Sequence, residues 1–278
     1  MHYSHPDWLV AKLKANWPEH WQTLLEANNC KPPMTLRFNR RHHSVQSAQS
    51  ALADAGITAT PGNLAPGAIR LAEPCPVDRI PGFLEGYFSV QDEAAQLCTE
   101  LLELAPGQRV LDACAAPGGK TLQIAAAGAK TIALDRSAKR LESVKQNLER
   151  LKLEAEIIAA DAGEWQPEAP LDAVLLDAPC TATGTLRRRP DVAWSKRESD
   201  ITSLAAMQAR LLDKAFAMLK SGGRLVYCTC SLEPEEGEEQ IKAFLDREAG
   251  ARLDPIVPDE LPELESAIDE LGAVRTRP

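Results

Sequence analysis

The chain has 278 residues, 44% of them hydrophobic, with 31 lysines and arginines against 40 aspartates and glutamates and a formal net charge of -9. This composition excludes a disordered chain, a collagen and a coiled coil, and one large or two modest domains can bury a core at this length. No apolar run approaches the roughly 20 residues that a membrane-spanning helix needs, and the first residues lack a secretory signal, so we expect a cytoplasmic protein.

The cysteine pattern argues against cross-links and against a structural metal. The seven cysteines are an odd number and form no C-x-x-C pair, so we expect reduced thiols, no disulfide framework and no metal site. They are Cys30, Cys75, Cys98, Cys114, Cys180, Cys228 and Cys230.

Charge is unevenly spread along the chain. From Ser231 onward there are 14 acidic and 5 basic residues, which leaves 26 of each sign in residues 1–230. The neutral body carries basic clusters at Arg37, Arg40 and Arg41 and at residues 187–189. A polyphosphate ligand can therefore be bound locally despite the negative net charge, although solvated surface charge is an equal alternative for each cluster.

Residues 1–86 have the composition of a small α+β module. Helix-like patterns cover residues 8–13 and 46–55, and a strand-like pattern covers residues 34–39. Proline and glycine are frequent between these segments, which is typical of short elements joined by turns.

From residue 87 onward, strands alternate with helices of ten or more residues. This pattern predicts an α/β fold in which a parallel sheet has helices on both faces. In such sheets ligands bind beyond the carboxyl ends of the strands. The predicted helices are 91–104, one after a glycine-rich turn, 137–151 and 201–219, and the predicted strands are 109–113, 130–135, 156–160, 173–177 and 224–230.

The segment after the first of these strands has the features of a ligand-binding turn. Its paired glycines allow the backbone to approach a ligand at a helix N-terminus. Cys114 stands where a Walker A loop needs glycine, and no G-x-G-x-x-G is present. A nucleoside without pyrophosphate remains, such as S-adenosyl-L-methionine, with Asp135 placed to bind its ribose; a tight turn without ligand is the alternative. The turn consists of Cys114, Ala115, Ala116, Pro117, Gly118, Gly119 and Lys120.

Acidic residues lie at four successive strand ends, namely at Asp112, Asp135, Asp161 and Asp177. Carboxylates that share one edge of a sheet repel one another, so stability of the sheet does not explain them. They are expected around a polar, partly cationic ligand. For Asp161, contact with an adenine amine and a helix N-cap are equal alternatives.

Two cysteines fall on the same predicted edge. Cys180 follows Asp177 and Pro179, and Cys230 ends the predicted strand 224–230. Thiols at strand ends near helix N-termini are placed for a lowered pKa and for nucleophilic attack. Two core cysteines are the alternative for either residue alone, but the pair beside a methyl-donor site favours chemistry.

The segments DACAAPGGKT, ALD, DAPCTATGTLRRRPD and YCTCSLEPEE resemble, in order and spacing, the motifs of the NOP/Sun family of RNA cytosine-5 methyltransferases, closest to the bacterial RsmB type that modifies 16S ribosomal RNA. SHPDWL, PPMTLRFN and GYFSVQDEAAQL are similar to the segments before the catalytic domain in that group. The resemblance implies a small α+β RNA-recognition module over residues 1–86. It also implies a Rossmann-like S-adenosylmethionine-dependent methyltransferase domain over residues 87–278.

The resemblance also implies a mechanism and a role for each site residue. By similarity, the thiolate of Cys230 adds to carbon 6 of a cytosine and activates carbon 5 toward the methyl group. Asp177 hydrogen-bonds the base and neutralises charge on its ring nitrogen, and Cys180 assists release of the adduct. Residues 114–120 line the donor site, Asp135 holds the donor's ribose and Asp161 meets its adenine.

The implied substrate is an unstacked cytosine in RNA, 16S ribosomal RNA by similarity. We expect the phosphates that flank the cytosine to be bound by Arg187, Arg188 and Arg189. We expect further RNA contacts from the N-terminal module, through Arg37 and Arg40. The alternatives are a non-catalytic RNA-binding ribosome-assembly factor and a nucleotide-dependent oxidoreductase on a similar sheet; the missing G-x-G-x-x-G and the paired cysteines disfavour the oxidoreductase.

The chain also departs from the RsmB type. That type usually carries a helical RNA-binding domain before the segment where this chain begins, and usually ends with a further strand that has a Gly-Phe-Phe-like signature. We therefore expect a truncated chain whose methyltransferase domain lacks its last strand, with a neighbouring strand edge exposed.

Overall fold

The structure is a computed structural model that describes residues 3–39 and 44–278. The chain forms two compact units. The sheet unit comprises Pro33–Asp177 and Lys214–Tyr227, and the thiol unit comprises Met1–Pro32, Ala178–Asp213 and Cys228–Pro278. The boundary at residue 86, predicted from composition, falls inside the sheet unit and stays a prediction about domains.

The regular elements follow one another in a mixed α and β order, with short 3-10 turns between some of them. The helices are α1 (Asp7–Asn16), α2 (Trp21–Asn28), α3 (Val45–Asp54), α4 (Glu93–Glu100), α5 (Gly119–Ala126), α6 (Ala138–Leu151), α7 (Val192–Ser195), α8 (Glu198–Ala217) and α9 (Glu238–Arg247). The strands are β1 (Met34–Phe38), β2 (Ala59–Pro61), β3 (Ala68–Leu71), β4 (Phe88–Val90), β5 (Arg109–Ala113), β6 (Lys130–Asp135), β7 (Glu156–Ala159), β8 (Leu171–Asp177) and β9 (Leu219–Cys228).

A small antiparallel sheet of order β2-β3-β1-β4 forms one layer of the sheet unit. Leu36 and Ile69 are fully buried in its core together with Leu52 of α3. The side chain of Ser44 accepts a hydrogen bond from Ser47 N and so fixes the start of α3. Strands β2, β3 and β4 have only three or four residues each, too few to show the alternation that reveals a strand in sequence.

A five-stranded sheet of order β7-β6-β5-β8-β9 forms the centre of the sheet unit. The pairs β5 with β6, β5 with β8 and β6 with β7 are parallel. Leu111 and Leu175 of the central strands are fully buried, while Leu122 of α5 and Val144 of α6 pack in one core cluster with Ala133 of β6. The predicted α/β fold with a parallel sheet is confirmed.

Arg37 of β1 is buried in the sheet unit, with 8% of its surface exposed. Its Nη1 donates to the Gln91 side chain, to Gly119 O at 2.7 Å and to Gln123 Oε1 at 3.3 Å. Burial lowers the pKa of Arg37 to about 10, and the nearby charge of Glu100 opposes that change, so the side chain stays cationic at neutral pH.

The guanidinium of Arg37 therefore ties β1 to the start of α5 inside the protein. The burial of Arg37 and the interior contacts of its Nη1 argue against a contact with RNA, and the expected RNA contact of Arg37 stays a prediction. Arg40 lies outside the described residues, and its predicted contact with RNA stays a prediction.

The thiol unit has its own apolar core. Leu9 and Leu13 of α1 pack with Leu25 of α2. The segment that leads into α7 and the turn after β9 join the same cluster, through Leu186 and Leu232 respectively. Helix α2 was not predicted from the sequence. In the described ranges 3–39 and 44–278, no helix is long and apolar enough to cross a membrane.

Replacing Arg37 by Met should lower the free energy of unfolding by about 2–4 kcal/mol, because the Gln91, Gly119 and Gln123 acceptors would stay buried without their donor. Urea denaturation followed by circular dichroism measures this change. The matched control is Arg79→Met at an exposed position, which should change the same quantity by less than about 0.5 kcal/mol. Equal effects of the two substitutions would contradict the interior role of Arg37.

Candidate active site

The order of the central sheet places a topological switch point between β5 and β8. The chain runs from β5 to β6 on one side and returns to β8 on the other, and ligands of parallel sheets bind outside the carboxyl ends of the strands at such a point. The turn of residues 114–120 follows β5, and Asp177 is the last residue of β8. The residues that the sequence marked for donor binding thus meet at one edge of the sheet unit.

The turn after β5 depends on one glycine. Gly118 is the N-cap of α5 and has φ 106°, a left-handed conformation that favours glycine. A Cβ at this position would lie 3.2 Å from Val144 Cα of α6, which is tighter than most real contacts. Glycine therefore lets the turn lie directly on α6, with the N-terminus of α5 at the edge of the sheet.

Asp135 anchors this turn from the end of β6. Its side chain is 2% exposed; Oδ2 accepts a hydrogen bond from Ala116 N at 3.2 Å and Oδ1 accepts one from Ser137 N at 2.9 Å. Arg140 of α6 lies 3.4 Å from Oδ2 and also donates to Ala116 O. Each carboxylate oxygen has two lone pairs, and Ala116 N and Arg140 use those of Oδ2, so Asp135 can hold the turn and still accept from one ligand hydroxyl at Oδ1.

Asp112 is the most deeply buried acid of this edge, with 1% of its surface exposed. Oδ2 accepts a hydrogen bond from Thr121 Oγ1 at 2.5 Å, whereas the buried Oδ1 has no hydrogen-bond partner. Desolvation raises the pKa of Asp112 to about 7, against smaller opposing effects of Thr121 and Lys120. This carboxyl is therefore an unsatisfied acceptor beside the turn.

An ion pair between Lys120 and Asp177 joins the start of α5 to the end of β8. Lys120 Nζ lies 2.8 Å from Asp177 Oδ2, and the two side chains are 15% and 36% exposed. The sequence predicted a partly cationic ligand to offset the acidic residues at this edge. In the structure, Lys120 and Arg140 of the protein itself supply part of the positive charge, and the sequence pattern did not indicate Arg140.

Cys114 and Asp161 lie near this edge with different surroundings. Desolvation, with help from the charges of Asp135 and Asp112, raises the pKa of Cys114 to about 12, so its thiol is not a nucleophile at neutral pH. Asp161 is exposed in the turn after β7, where its Oδ1 accepts from Gly163 N at 2.7 Å. This local turn contact accounts for an acid at position 161, and the predicted contact with adenine stays a prediction.

The thiol unit brings Cys180 and Cys230 together. Their Sγ atoms are 3.4 Å apart, and Cys230 is exposed whereas Cys180 is partly buried. The predicted strand end at Cys230 is wrong, since β9 stops at Cys228. Two residues beyond the end of β9, Cys230 O accepts a hydrogen bond from Gly184 N at 3.0 Å and not from a neighbouring strand of the sheet.

The two thiols are not equivalent. The hydrogen bond with Cys230 and then burial raise the pKa of Cys180 far above the usual thiol range. The expected lowered pKa is therefore wrong for Cys180, because a neighbouring sulfur and a buried position both disfavour its thiolate. Either sulfur can donate in this contact; where the S–H of Cys180 donates, the hydrogen bond favours negative charge on the sulfur of Cys230.

The three predicted phosphate-binding arginines differ in exposure. Arg188 and Arg189 are exposed, and Arg189 pairs with Asp191 at 3.2 Å. Arg187 is partly buried and its Nη2 donates to Lys31 O at 3.0 Å, which ties it to the chain after α2. Among the described residues, no group of three or more His, Cys, Asp and Glu side chains could hold a metal ion.

Comparison with known proteins decides which family this site belongs to. The family model described as 16S rRNA methyltransferase RsmB/F matches residues 99–274, and the model of the RsmF/B-like ferredoxin-like domain matches residues 5–78. The chain belongs to the RsmB/F methyltransferase family. The family resemblance inferred from the motifs is thereby confirmed.

Curated relatives in the RsmB/F family cover most of this chain. Ribosomal RNA small subunit methyltransferase B of Pseudomonas putida is 53% identical over 255 residues, which are 90% of this chain and 58% of that protein. The protein of the same name in Vibrio cholerae is 47% identical over 264 residues, 92% of this chain and 61% of that protein. The chain thus spans about three fifths of the length of these relatives.

Solved structures of similar fold support the Rossmann-like methyltransferase architecture. A methyltransferase homolog protein from Pyrococcus horikoshii is 31% identical with a TM-score of 0.74, and the match covers 87% of this chain and 83% of that one. NSun6 from the same organism is 21% identical with a TM-score of 0.82, over 92% and 90% of the two chains, and shows the same fold.

The raised pKa of Asp112 predicts a pH-dependent stability. A carboxyl whose pKa is raised on folding favours the folded state most below its unfolded value of 3.8, and that contribution is lost as the pH rises through about 7. The variant Asp112→Asn has no carboxyl group at this position, so its stability does not fall with pH for this reason. The free energy of unfolding of the variant minus that of the wild type should therefore increase by about 2 kcal/mol between about pH 5 and about pH 8.

Urea denaturation at a series of pH values measures this difference. Asp259→Asn, at an exposed position, is the control for loss of one carboxyl group. A difference for Asp112→Asn that stays constant across this pH range would show that Asp112 titrates normally. Glu233, whose pKa burial also raises to about 7, is present in both proteins and cancels from the difference.

Proposed function

We propose that this chain transfers a methyl group from S-adenosyl-L-methionine to carbon 5 of a cytosine in RNA, 16S ribosomal RNA in the cytoplasm, through a covalent adduct on Cys230. The observation that carries the proposal is the pair of thiols 3.4 Å apart, one exposed and one partly buried with a raised pKa, in a chain of the RsmB/F family. Carbon 5 of cytosine is a weak nucleophile, and a thiolate that adds to carbon 6 overcomes this.

The sheet edge has the groups that the donor requires. The buried Oδ1 of Asp112 is an acceptor without a partner, and the donor's amino group is a donor of the matching kind. The remaining lone pair of Asp135 Oδ1 suits a ribose hydroxyl, the N–H groups after Gly118 suit the donor's carboxylate, and Asp161 is the residue proposed for the adenine. When bound, the donor supplies an electrophilic methyl group.

Cys230 is the proposed nucleophile and Cys180 its hydrogen-bond donor. The S–H of Cys180 stabilises the thiolate of Cys230 before attack. It stabilises the same thiolate again when the proton on carbon 5 is lost to water and the bond from sulfur to carbon 6 breaks, which restores the double bond between carbons 5 and 6. Cys180 thus assists release without becoming a thiolate itself. The two roles follow from the burial of the thiols. The partly buried thiol of Cys180 keeps its proton, and the exposed thiol of Cys230 contacts the cytosine base.

Asp177 is the proposed contact of the base. It precedes Cys180 by three residues in the chain, and its carboxylate can accept from the exocyclic amine of cytosine. Negative charge develops on the pyrimidine ring during attack at carbon 6, and the ammonium of Lys120 beside Asp177 favours it. Substituting Lys120 therefore affects the chemical step as well as donor binding.

Arg188 and Arg189 are the proposed phosphate contacts, because both are exposed whereas Arg187 is partly committed to Lys31 O. Cytosine must be unstacked to be attacked, so single-stranded or flipped positions in folded RNA are the substrate class. The small sheet, whose four strands lie between Met34 and Val90, is proposed to add RNA recognition from the N-terminal module.

The cysteine roles predict opposite effects of two substitutions. RNA that contains 5-fluorocytidine should form a covalent complex with the wild-type chain, since the fluorine at carbon 5 cannot leave as a proton does. Cys230→Ala should abolish both this complex and methylation. Cys180→Ala should retain attack and accumulate a complex on ordinary RNA, because the leaving thiolate loses its hydrogen bond.

Denaturing gel electrophoresis with labelled RNA measures both complexes. Cys30→Ala, at an exposed cysteine of α2's C-terminal end, is the control and should behave as the wild type. A wild-type chain that methylates nothing and forms no complex with 5-fluorocytidine RNA would contradict the proposed activity and favour an RNA-binding protein without turnover.

The arginine roles predict a change in salt dependence. Arg188→Ala and Arg189→Ala should each weaken RNA binding and reduce the slope of log affinity against log salt concentration by about 1, because each removes one phosphate contact. Binding of S-adenosyl-L-methionine should stay unchanged. The control is Arg252→Ala, at an exposed position in the acidic C-terminal part. An unchanged slope in the first two variants would remove these arginines from the RNA interface.

A further inference from the structure

A fully buried carboxylate lies between the two cysteine-bearing segments of the thiol unit. Glu236 ends the short turn Pro234–Glu236 just before α9 and has no exposed surface. A buried carboxylate is stable only when hydrogen-bond donors surround it. The donors that Glu236 receives come from both sides of the thiol pair.

The segment around Cys180 supplies most of these donors. Thr181 N lies 2.9 Å from Glu236 Oε1 and 3.2 Å from Oε2, and the Thr181 hydroxyl donates to Oε2. Gln208 of α8 uses its amide nitrogen twice, donating to Glu236 Oε1 at 3.0 Å and to Pro179 O at 2.8 Å. The residues on both sides of Cys180 are therefore fixed by Glu236, directly or through Gln208.

The segment around Cys230 is held by the same carboxylate. The Ser231 hydroxyl donates to Glu236 Oε2 at 2.6 Å, and it lies 3.1 Å from the Thr181 hydroxyl. On the other side, Gly184 N donates to Cys230 O, and a Cβ at Gly184 would lie 2.9 Å from that oxygen. The residue that follows each cysteine, Thr181 or Ser231, thus contacts Glu236.

We propose that Glu236 is the positioning residue of the thiol pair: its carboxylate clamps the segments after Cys180 and Cys230 and so holds the two sulfurs at hydrogen-bond distance. This inference deepens the proposed function and rests on it for the role of the pair in catalysis. The clamp itself, however, is measurable without RNA.

A carboxylate is required here because every neighbour in the clamp donates. Thr181 N and the Gln208 amide nitrogen can only donate, and together with the two hydroxyls they fill both oxygens of Glu236. A glutamine has a single acceptor oxygen and would turn an NH2 group toward these donors. The negative charge of Glu236 also contributes to the raised pKa of Cys180, after the effects of Cys230 and burial.

Phenylarsine oxide is a suitable probe, because its arsenic forms bonds to two thiol sulfurs at once and its oxygen leaves as water with the two thiol protons. Its affinity depends on how closely the thiols are held, as for any ligand that binds at two points. Glu236→Gln should weaken its binding by about 10-fold or more. Thr181→Val and Ser231→Ala, which each remove one hydroxyl donor, should weaken it by smaller factors.

The matched control is Glu93→Gln. Glu93 is also buried, with 4% of its surface exposed, and its carboxylate accepts from Leu64 N at 2.6 Å and pairs with Arg70 at 3.0 Å, away from both cysteines in the chain. It should lower thermal stability and leave the affinity for phenylarsine oxide unchanged. A second readout is the pH dependence of Cys180 alkylation, resolved by mass spectrometry, which should shift to lower pH in Glu236→Gln.

The outcomes separate the clamp from the proposed function. Unchanged affinity for phenylarsine oxide and an unchanged alkylation profile in Glu236→Gln would overturn the clamp, even if the wild type forms the adduct with 5-fluorocytidine RNA. Weakened binding in this variant and in both hydroxyl variants supports the clamp, even if the wild type forms no adduct. Should Glu236→Gln not fold, the graded effects of Thr181→Val and Ser231→Ala decide the question by the same criterion.

Discussion

The geometry of the thiol pair depends on the hydrogen bonds that the buried carboxylate of Glu236 accepts. Removing such a group from water is unfavourable unless donors replace the lost hydration, and here the donors are Thr181, Ser231 and Gln208. Because Thr181 and Ser231 each follow a cysteine, satisfying the carboxylate also sets the place of both thiols. Their separation of 3.4 Å is a consequence of this requirement. The raised pKa of Cys180 follows in turn, since two close sulfurs cannot both ionise.

A similar principle organises the sheet edge, where four acids close successive strands. Each is accommodated differently: Asp112 by a raised pKa, Asp135 by Arg140 and backbone N–H groups, Asp177 by Lys120, and Asp161 by exposure and a local turn. Their mutual repulsion is therefore largely offset within the protein. What remains for a ligand is specific, namely the unpartnered Oδ1 of Asp112 and one lone pair on Oδ1 of Asp135.

Local patterns in the sequence predicted the parallel sheet well, because buried strands and amphipathic helices carry their own periodicity. Strands β5 and β6 have the predicted bounds. Features that depend on contacts distant in sequence could not be predicted. Arg37 was assigned to RNA although it bonds 82 residues away to Gly119 O, and Cys180 was expected to be acidic although it faces another thiol. Glu236 lies within a recognised motif, but only burial reveals its role.

The central claim is that the exposed sulfur of Cys230 attacks while that of Cys180 keeps its proton. Peptide mapping of the complex trapped on 5-fluorocytidine RNA tests it most directly. After digestion with nuclease and trypsin, fragment-ion spectra locate the added nucleotide mass. The account predicts this mass on Cys230, within the peptide of residues 225–242 that also contains Cys228. A nucleotide mass on Cys180, within residues 153–187, would contradict it.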